Sequence, residues 1–386
     1  MIELHSYFKP LNPGIYATKD RWEATQIGEL IDCHTQESFP EITFAEIAIL
    51  NVSEYEGSKN KASESDCKIR DAFYRLHCSN FPKIIDLGEF QLMPTRKESF
   101  RILEQVCAAL IENGTIPIII GGGNDLVYAV YKAYVSLDKT ITLASVDKNL
   151  DIGLEEDNLA NYSYLGKIIG HKPNHLFHYV NLAYQTYYVS SMAVEMIDNM
   201  HFEAFRLGSL KANMQEVEPI MRNTDFLSFD VSAIQHAYAG ANVYATPNGL
   251  NGEEACKIMR YAGLSDKITA IGMFEYNQSL DQYNQTAQLI AQMIWFFTEG
   301  YKQRKNELNP NLKDCIKYTV AFEDAINEII FYKSKSSGRW WMGVPFKTKN
   351  NTQLEKYFVA CSYKDYEVAN QGDVPERWVK TFRKLV

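Results

Sequence analysis

The sequence has little positive charge to offer: 39 Lys and Arg against 48 Asp and Glu leave a net charge of −9, with a pI near 5.5. No basic run exceeds a few residues, so the chain lacks the electrostatic footprint of a nucleic-acid or anionic-membrane binder. Small molecules or proteins are the expected partners. Long apolar runs are absent too, and MIELHSYFKPLNPG has no basic stretch leading into an apolar core with a small-residue cleavage site. Direct membrane insertion is therefore not expected, and a cytoplasmic location is. Cysteines are few and unpaired in pattern. The seven, Cys33, Cys67, Cys78, Cys107, Cys256, Cys315 and Cys361, form no Cys-x-x-Cys and are odd in number, which argues against a disulfide framework or a zinc ribbon. Cys107 falls in an apolar helical stripe, where a thiol acts as a small hydrophobe.

What is present is an alternation of strands and helices. ITFAEIAILNV (42–52) reads as a strand, and DCKIRDAFYRL (66–76) has helical spacing, with the polar loop Glu56 to Glu64 between them. From Lys97 to Asn113, Phe100, Leu103, Val106, Cys107, Leu110 and Ile111 recur at three- and four-residue intervals, and Gly114 stands where a helix end takes a left-handed residue. TIPIIIGGGND then predicts a buried strand running into a glycine turn, followed by a helix in LVYAVYKAYVSL. ITLASVDKNLD, YQTYYVS, DFLSFDVSAI and ITAIGMFEYN are expected to be further strands, and Gln282 to Lys305 the last helix of the domain. The fold class implied is α/β: three layers, α/β/α, around a mostly parallel central sheet. Binding residues of such sheets gather at strand C-termini.

Three strings fall at those ends: Gly121-Gly122-Gly123-Asn124-Asp125, Asp147-Lys148-Asn149-Leu150-Asp151 and Ser228-Phe229-Asp230-Val231-Ser232. In order and flanks they resemble the metal-binding motifs of the arginase, agmatinase and formimidoylglutamase superfamily, Gly-Gly-x-His, Asp-Ala-His-x-Asp and Ser-x-Asp-x-Asp. The resemblance spans roughly residues 40 to 300 and is closest in flavour to formimidoylglutamases. Both histidines are asparagine here, and the last aspartate is Ser232. In the superfamily two Mn²⁺ ions hold a bridging hydroxide that attacks the guanidinium or formimino carbon. Carried over by motif position, Asp147 and Asp230 would bridge the ions and Asp151 would bind the first. Asn124 would replace the first ion's histidine, while Asn149 and Ser232 would replace two ligands of the second. The resemblance thus implies a vestigial site, with no cofactor or at most one weakly bound Mn²⁺, Mg²⁺ or Ca²⁺ on Asp147, Asp151 and Asp230. Clustered carboxylates without a cation repel, and relief must come from protonation, an ion or a basic group. Lys148 is the adjacent candidate, yet strand alternation points it away from Asp147 and Asn149.

Further matches are local. Arg70 stands where the superfamily has an arginine at the start of a helix, although GSKNKASES does not match the family's usual Gly-Pro-rich segment. Glu275 matches the carboxylate that faces the substrate's amidine, and Thr286-Ala287 opens the next helix. A capping or surface glutamate is the other reading of Glu275. His171, His175 and His178 have loose metal-like spacing, but Pro173 breaks a helical His-x-x-x-His face, and a loop is expected. His236 is read as structural. The glycine triplet has neither a Walker lysine nor a G-x-G-x-x-G continuation.

Residues 1–306 are read as the arginase-like domain and 307–386 as an aromatic-rich C-terminal extension. Its density of Trp, Tyr and Phe argues against disorder. The expectation is that the extension folds back on the domain, with Trp340 and Trp341 as alternative anchors for a subunit or partner. The leading functional expectation is a catalytically inactive protein with a binding or assembly role. It would take a small amidine or, through the extension, an unidentified protein, with homo-oligomerisation as in the family. The alternative is a formimidoylglutamase- or agmatinase-like hydrolase of linear amidine C–N bonds with an impaired or single-metal site.

Overall fold

A computed structural model describes residues 3–16, 22–60, 67–80, 82–153, 159–322, 328–347 and 355–385. The last part of the predicted polar loop, 61–64, lies outside the described residues.

The main sheet is built from β1 (Phe8–Lys9), β2 (Asp32–Cys33), β3 (Ile47–Asn51), β4 (Ile84–Phe90), β5 (Ile116–Ile120), β6 (Ile141–Val146), β7 (Leu176–Tyr184), β8 (Glu203–Arg206), β9 (Phe226–Asp230) and β10 (Ala270–Phe274). Its order is β1-β4-β3-β5-β10-β9-β6-β7-β8, with β2 beside β4. Every pairing is parallel except β1 with β4. The near-continuous Ile, Leu and Val of the central strands suit a sheet covered on both faces. Ile47, Ile49, Ile116, Ile118 and Ile120 enter one core with the helices Cys67–Tyr74, Gly252–Leu264 and Gln285–Tyr301. Ala48, Leu50 and Ile119 point the other way, into a second core with Arg96–Glu112, Val127–Ser136 and Tyr164–Gly170. This is the expected three-layer arrangement.

Local sequence explains the element ends. Thr95 and Glu98 close a reciprocal capping box at the start of Arg96–Glu112, and Gly114 past its end has φ +81°. At the glycine turn after β5, Gly122 has φ +79°, and a Cβ there would lie 2.9 Å from both the Val52 and Glu54 carbonyl oxygens. Only glycine lets the two loops approach so closely.

One predicted strand is misplaced. YQTYYVS, residues 184–190, is a turn after Tyr184, and the strand is the preceding Leu176–Tyr184. Aromatic and β-branched composition favoured the wrong segment, since Tyr187 and Tyr188 are exposed whereas Tyr179, Val180 and Leu182 are buried. The same shift puts His178 on β7 rather than in a loop.

The C-terminal region forms a second sheet, a meander of β11 (Cys315–Ala321), β12 (Glu328–Ser334), β13 (Trp340–Phe346) and β14 (Glu355–Cys361), antiparallel throughout. Helices Tyr363–Asn370 and Glu376–Leu385 cover one face. The sheet docks on the main domain through the helix Val217–Asn223. The Arg222 guanidinium donates to Trp340 O at 3.2 Å and to Cys361 O at 3.0 Å, and Asn223 exchanges two 3.0 Å hydrogen bonds with the Ala360 backbone. Trp341 lies under Arg222, 5.0 Å from the guanidinium carbon to the ring centroid. Trp340 stacks on Tyr318 and Tyr366. Both tryptophans are buried, so their contacts are spent within the chain.

Candidate active-site cleft

β5, β10, β9 and β6 are neighbours in the sheet, and their C-terminal ends bring the three degenerate strings and Glu275 together. Asn124 opens the short helical turn after β5, Asp147 to Asp151 follow β6, Asp230 ends β9, and Glu275 follows β10. The order of these residues along the chain thus becomes an arc across the middle of the sheet.

Hydrogen bonds define the asparagine that replaces the first histidine. Asn124 Nδ2 donates to Asp147 Oδ2 at 3.1 Å and to Asp151 Oδ2 at 3.2 Å, and Ser228 Oγ donates to Asn124 Oδ1 at 3.1 Å. In this orientation the amide N–H₂ group lies against two carboxyl oxygens and the amide oxygen against the Ser228 hydroxyl. The amide holds the carboxylates together with N–H groups, whereas a metal ligand would present its oxygen. Asn149 N donates to Asp147 Oδ1 at 2.8 Å, and Ser232 N to Asp230 Oδ1 at 2.6 Å. Ser232 therefore contributes a backbone donor to the carboxylate it follows.

Lys148 is buried, but among the described residues it makes no ion pair. Its Nζ donates to Tyr244 O and lies over the rings of Tyr188 and Tyr244, 5.2 and 5.9 Å from their centroids. Desolvation lowers its pKa, with Asp230, Asp147 and Asp151 acting in the opposite sense.

Glu275 is fully buried in the left-handed region, at φ +65°. That conformation is costly for a glutamate and persists only where its surroundings fix it. Ser58 Oγ donates to Glu275 Oε2 at 2.7 Å and Asn124 N to Oε1 at 3.0 Å. Asn60 Nδ2 and Asn242 Nδ2 donate to its carbonyl at 2.5 and 2.6 Å. These donors fix the fully buried Glu275 side chain beside Asn124. Ser58, Asn60, Asn242, Tyr188 and Tyr244 are absent from the motif reading, because they come from loops remote in sequence with no fixed spacing to the motifs. Thr286 and Ala287 are buried, and Thr286 Oγ1 accepts from Ala241 N at 3.2 Å.

The histidines do not converge. His171 Nδ1 lies 2.9 Å from Pro173 O, His175 Nε2 3.0 Å from Asp138 Oδ1, and His178 Nε2 2.8 Å from Glu203 Oε2. His236 is exposed.

Burial raises all four acids of the cleft. Desolvation and the neighbouring Asp151 carboxylate raise Asp147 well above the carboxylate range. Desolvation likewise pushes Asp151 to about 7, and Asp230 and Glu275 each to about 8, with Asp147 adding to the shift on Asp230 and Asp230 to that on Glu275. The folded state therefore keeps protons that the unfolded chain releases near pH 4. It binds the excess protons between about pH 4 and 8, so stability must fall as pH rises through that window. Asp230→Asn removes one such group. In urea melts its unfolding free energy should exceed the native one at pH 8.5 by an amount on the order of 1–3 kcal/mol, with the two converging at pH 4. A variant less stable than the native chain at pH 8.5 would contradict this account.

The donor set can be compared with what a two-manganese centre needs. Among the described residues no three His, Cys, Asp or Glu groups have metal-binding spacing. No histidine reaches the cleft motifs, and the Asn124 N–H₂ group points at two of the carboxylates an ion would need. The residues present do not fit a binuclear Mn²⁺ group.

Comparison with known proteins places the fold. The sequence profile of the arginase family matches residues 56–298. The chain belongs to the arginase family. Among curated relatives of this arginase-family chain, the formimidoylglutamase of Bacillus subtilis is 22% identical over 232 residues, which are 57% of this chain and 72% of the relative. The crystal structure of B. subtilis formimidoylglutamase superposes with a TM-score of 0.65 at 19% identity, covering 75% of this chain and 99% of that one. Trypanosoma cruzi formiminoglutamase, solved with Mn²⁺, gives 0.61 at 20% identity, covering 69% of this chain and all of the other. The ureohydrolase fold and the likeness to formimidoylglutamases follow. Among the described residues no helix is long and apolar enough to cross a membrane.

Proposed function

We propose that this protein is a degenerate ureohydrolase-fold protein that binds a small cationic ligand in its acidic cleft and does not hydrolyse it by the two-manganese route. The observation that supports this most is the Asn124 amide. Its oxygen is taken by Ser228, and its N–H₂ group bridges Asp147 and Asp151. Hydrogen bonds thereby hold carboxylates that a cation pair would otherwise hold. The retained Glu275, fixed by four donors, keeps a fifth polar group of the motif region beside Asn124. A role in assembly through the C-terminal sheet remains part of the proposal, but it would use surfaces other than the buried Trp340 and Trp341.

A second reading has its own support. The curated and structural relatives are formimidoylglutamases, and this likeness favours a hydrolase of linear amidine C–N bonds with an impaired or single-metal site. The comparisons speak for the hydrolase, and the donor set speaks for loss of two-metal chemistry. Native mass spectrometry after Mn²⁺ loading and desalting, paired with a formimidoylglutamate turnover assay, separates them. Binding without turnover requires no retained ion pair and no product. Two ions per chain, or turnover abolished by Asp230→Ala, would establish the hydrolase.

A further inference from the structure

The cleft opens into a cavity of about 350 Å³ whose lining includes Asp151, Tyr162, Tyr188, Val189, Met192 and Met196. Two features of this mouth bear on its ligand. Tyr162, Tyr188, Met192 and Met196 are exposed by 48, 48, 63 and 41%, an unusual concentration of large apolar side chains at one opening. Among the described lining residues Asp151 is the one charged group, and none is Lys, Arg or His. Lys148 does not line the cavity, since its ammonium is held by Tyr244 O and two tyrosine rings.

From this lining we infer that the cleft takes a monocation with an apolar tail and no carboxylate: an alkyl or aryl amidine or amine. The inference rests on the binding role proposed above and names the ligand class. The cationic head meets the Asp151 side chain, which lines the cavity. The tail lies along Met192 and Met196, one turn apart on the helix Ser191–Asn199, and against the Tyr162 and Tyr188 rings. Methionine adapts its shape to a flexible chain. Formimidoylglutamate carries two carboxylates, and in this cavity they would lose water without gaining a cation. The mouth therefore selects against the substrate of the relatives, on grounds separate from the missing metal ligands.

The test is isothermal titration of chelator-treated full-length protein with hexanamidine, hexylamine and formimidoylglutamate. Hexanamidine or hexylamine should bind at least about tenfold more tightly than formimidoylglutamate. Met196→Lys, a surface substitution that puts a cation in the mouth, should weaken hexanamidine by about tenfold or more and improve formimidoylglutamate. Asp151→Asn should weaken both cations. Formimidoylglutamate binding as tightly as hexanamidine to the native chain would overturn the ligand class, as would hexanamidine affinity indifferent to both substitutions. The two proposals fail separately. Hydrolysis of hexanamidine would remove the binding-only role and leave the ligand class standing, whereas tight formimidoylglutamate binding without hydrolysis would do the reverse.

Discussion

Asn124→His, Asn149→His and Ser232→Asp, introduced together, should give a chain that retains two Mn²⁺ ions on desalting, whereas the native chain is expected to lose them. The backbone is already in place for this change, because the three positions lie at the C-terminal ends of β5, β6 and β9 beside Asp147, Asp151 and Asp230. The substitution at 124 removes the N–H₂ group that now bridges Asp147 and Asp151. Ser228 Oγ, 3.1 Å from the Asn124 amide oxygen, is positioned to bond the second ring nitrogen of a histidine, the kind of outer contact that orients metal ligands. Histidine is larger than asparagine, so the metal-free variant should be less stable than the native chain. Saturating Mn²⁺ should more than restore it, since a ligand at about 100 times its Kd adds about 2.7 kcal/mol. Mass spectrometry and melting with and without Mn²⁺ read both effects. A triple variant that holds no ion would show that the cleft has drifted beyond its ligands, and a native chain that holds two would refute the donor-set reading.

The sequence exposes the parts of this protein that obey short-range rules. The motif strings mark the strand ends that meet in the cleft, and the apolar periodicity of 97–113 and 282–305 predicts helices found at Arg96–Glu112 and Gln285–Tyr301. The errors and omissions have a common physical origin. YQTYYVS has strand composition, but past Tyr184 it turns, and Tyr187 and Tyr188 stand exposed, Tyr188 beside the cavity, for reasons unrelated to a ladder. The Asn124 amide oxygen meets Ser228, 104 residues away in sequence. The donors that fix Glu275 come from 33 to 217 residues away. Such contacts carry no spacing signal in a single sequence. The aromatic residues of the extension announce a packed structure, but whether they face a partner or the chain itself depends on Arg222, whose role no local pattern reveals.

Arg70→Ala should cost about 3–5 kcal/mol, the penalty for stranding a buried charge. Arg70 is 1% exposed and Asp86 fully buried. The guanidinium, on the helix Cys67–Tyr74, donates from Nε to Asp86 Oδ2 at 2.8 Å and from Nη2 to Oδ1 at 3.1 Å, a bidentate clamp on β4. It also donates to Gly88 O at 3.0 Å and Glu89 Oε1 at 2.5 Å. Tyr74 Oη adds a 2.8 Å bond to Asp86, but a phenol cannot neutralise two carboxylates once the arginine is gone. The consequence reaches the cleft, because the segment between β3 and this helix carries Ser58 and Asn60, the donors to Glu275. Loosening its downstream end should weaken ligand binding as well as stability. Urea melts measure the first effect and titration with hexanamidine the second. Adding Asp86→Asn should recover part of the loss, since the uncompensated carboxylate, more than the missing bonds, dominates the cost. A loss below about 1 kcal/mol for Arg70→Ala would mean that desolvation consumes nearly all the ion pair contributes. The helix would then be held by Ile69, Phe73 and Tyr74 in the apolar core alone.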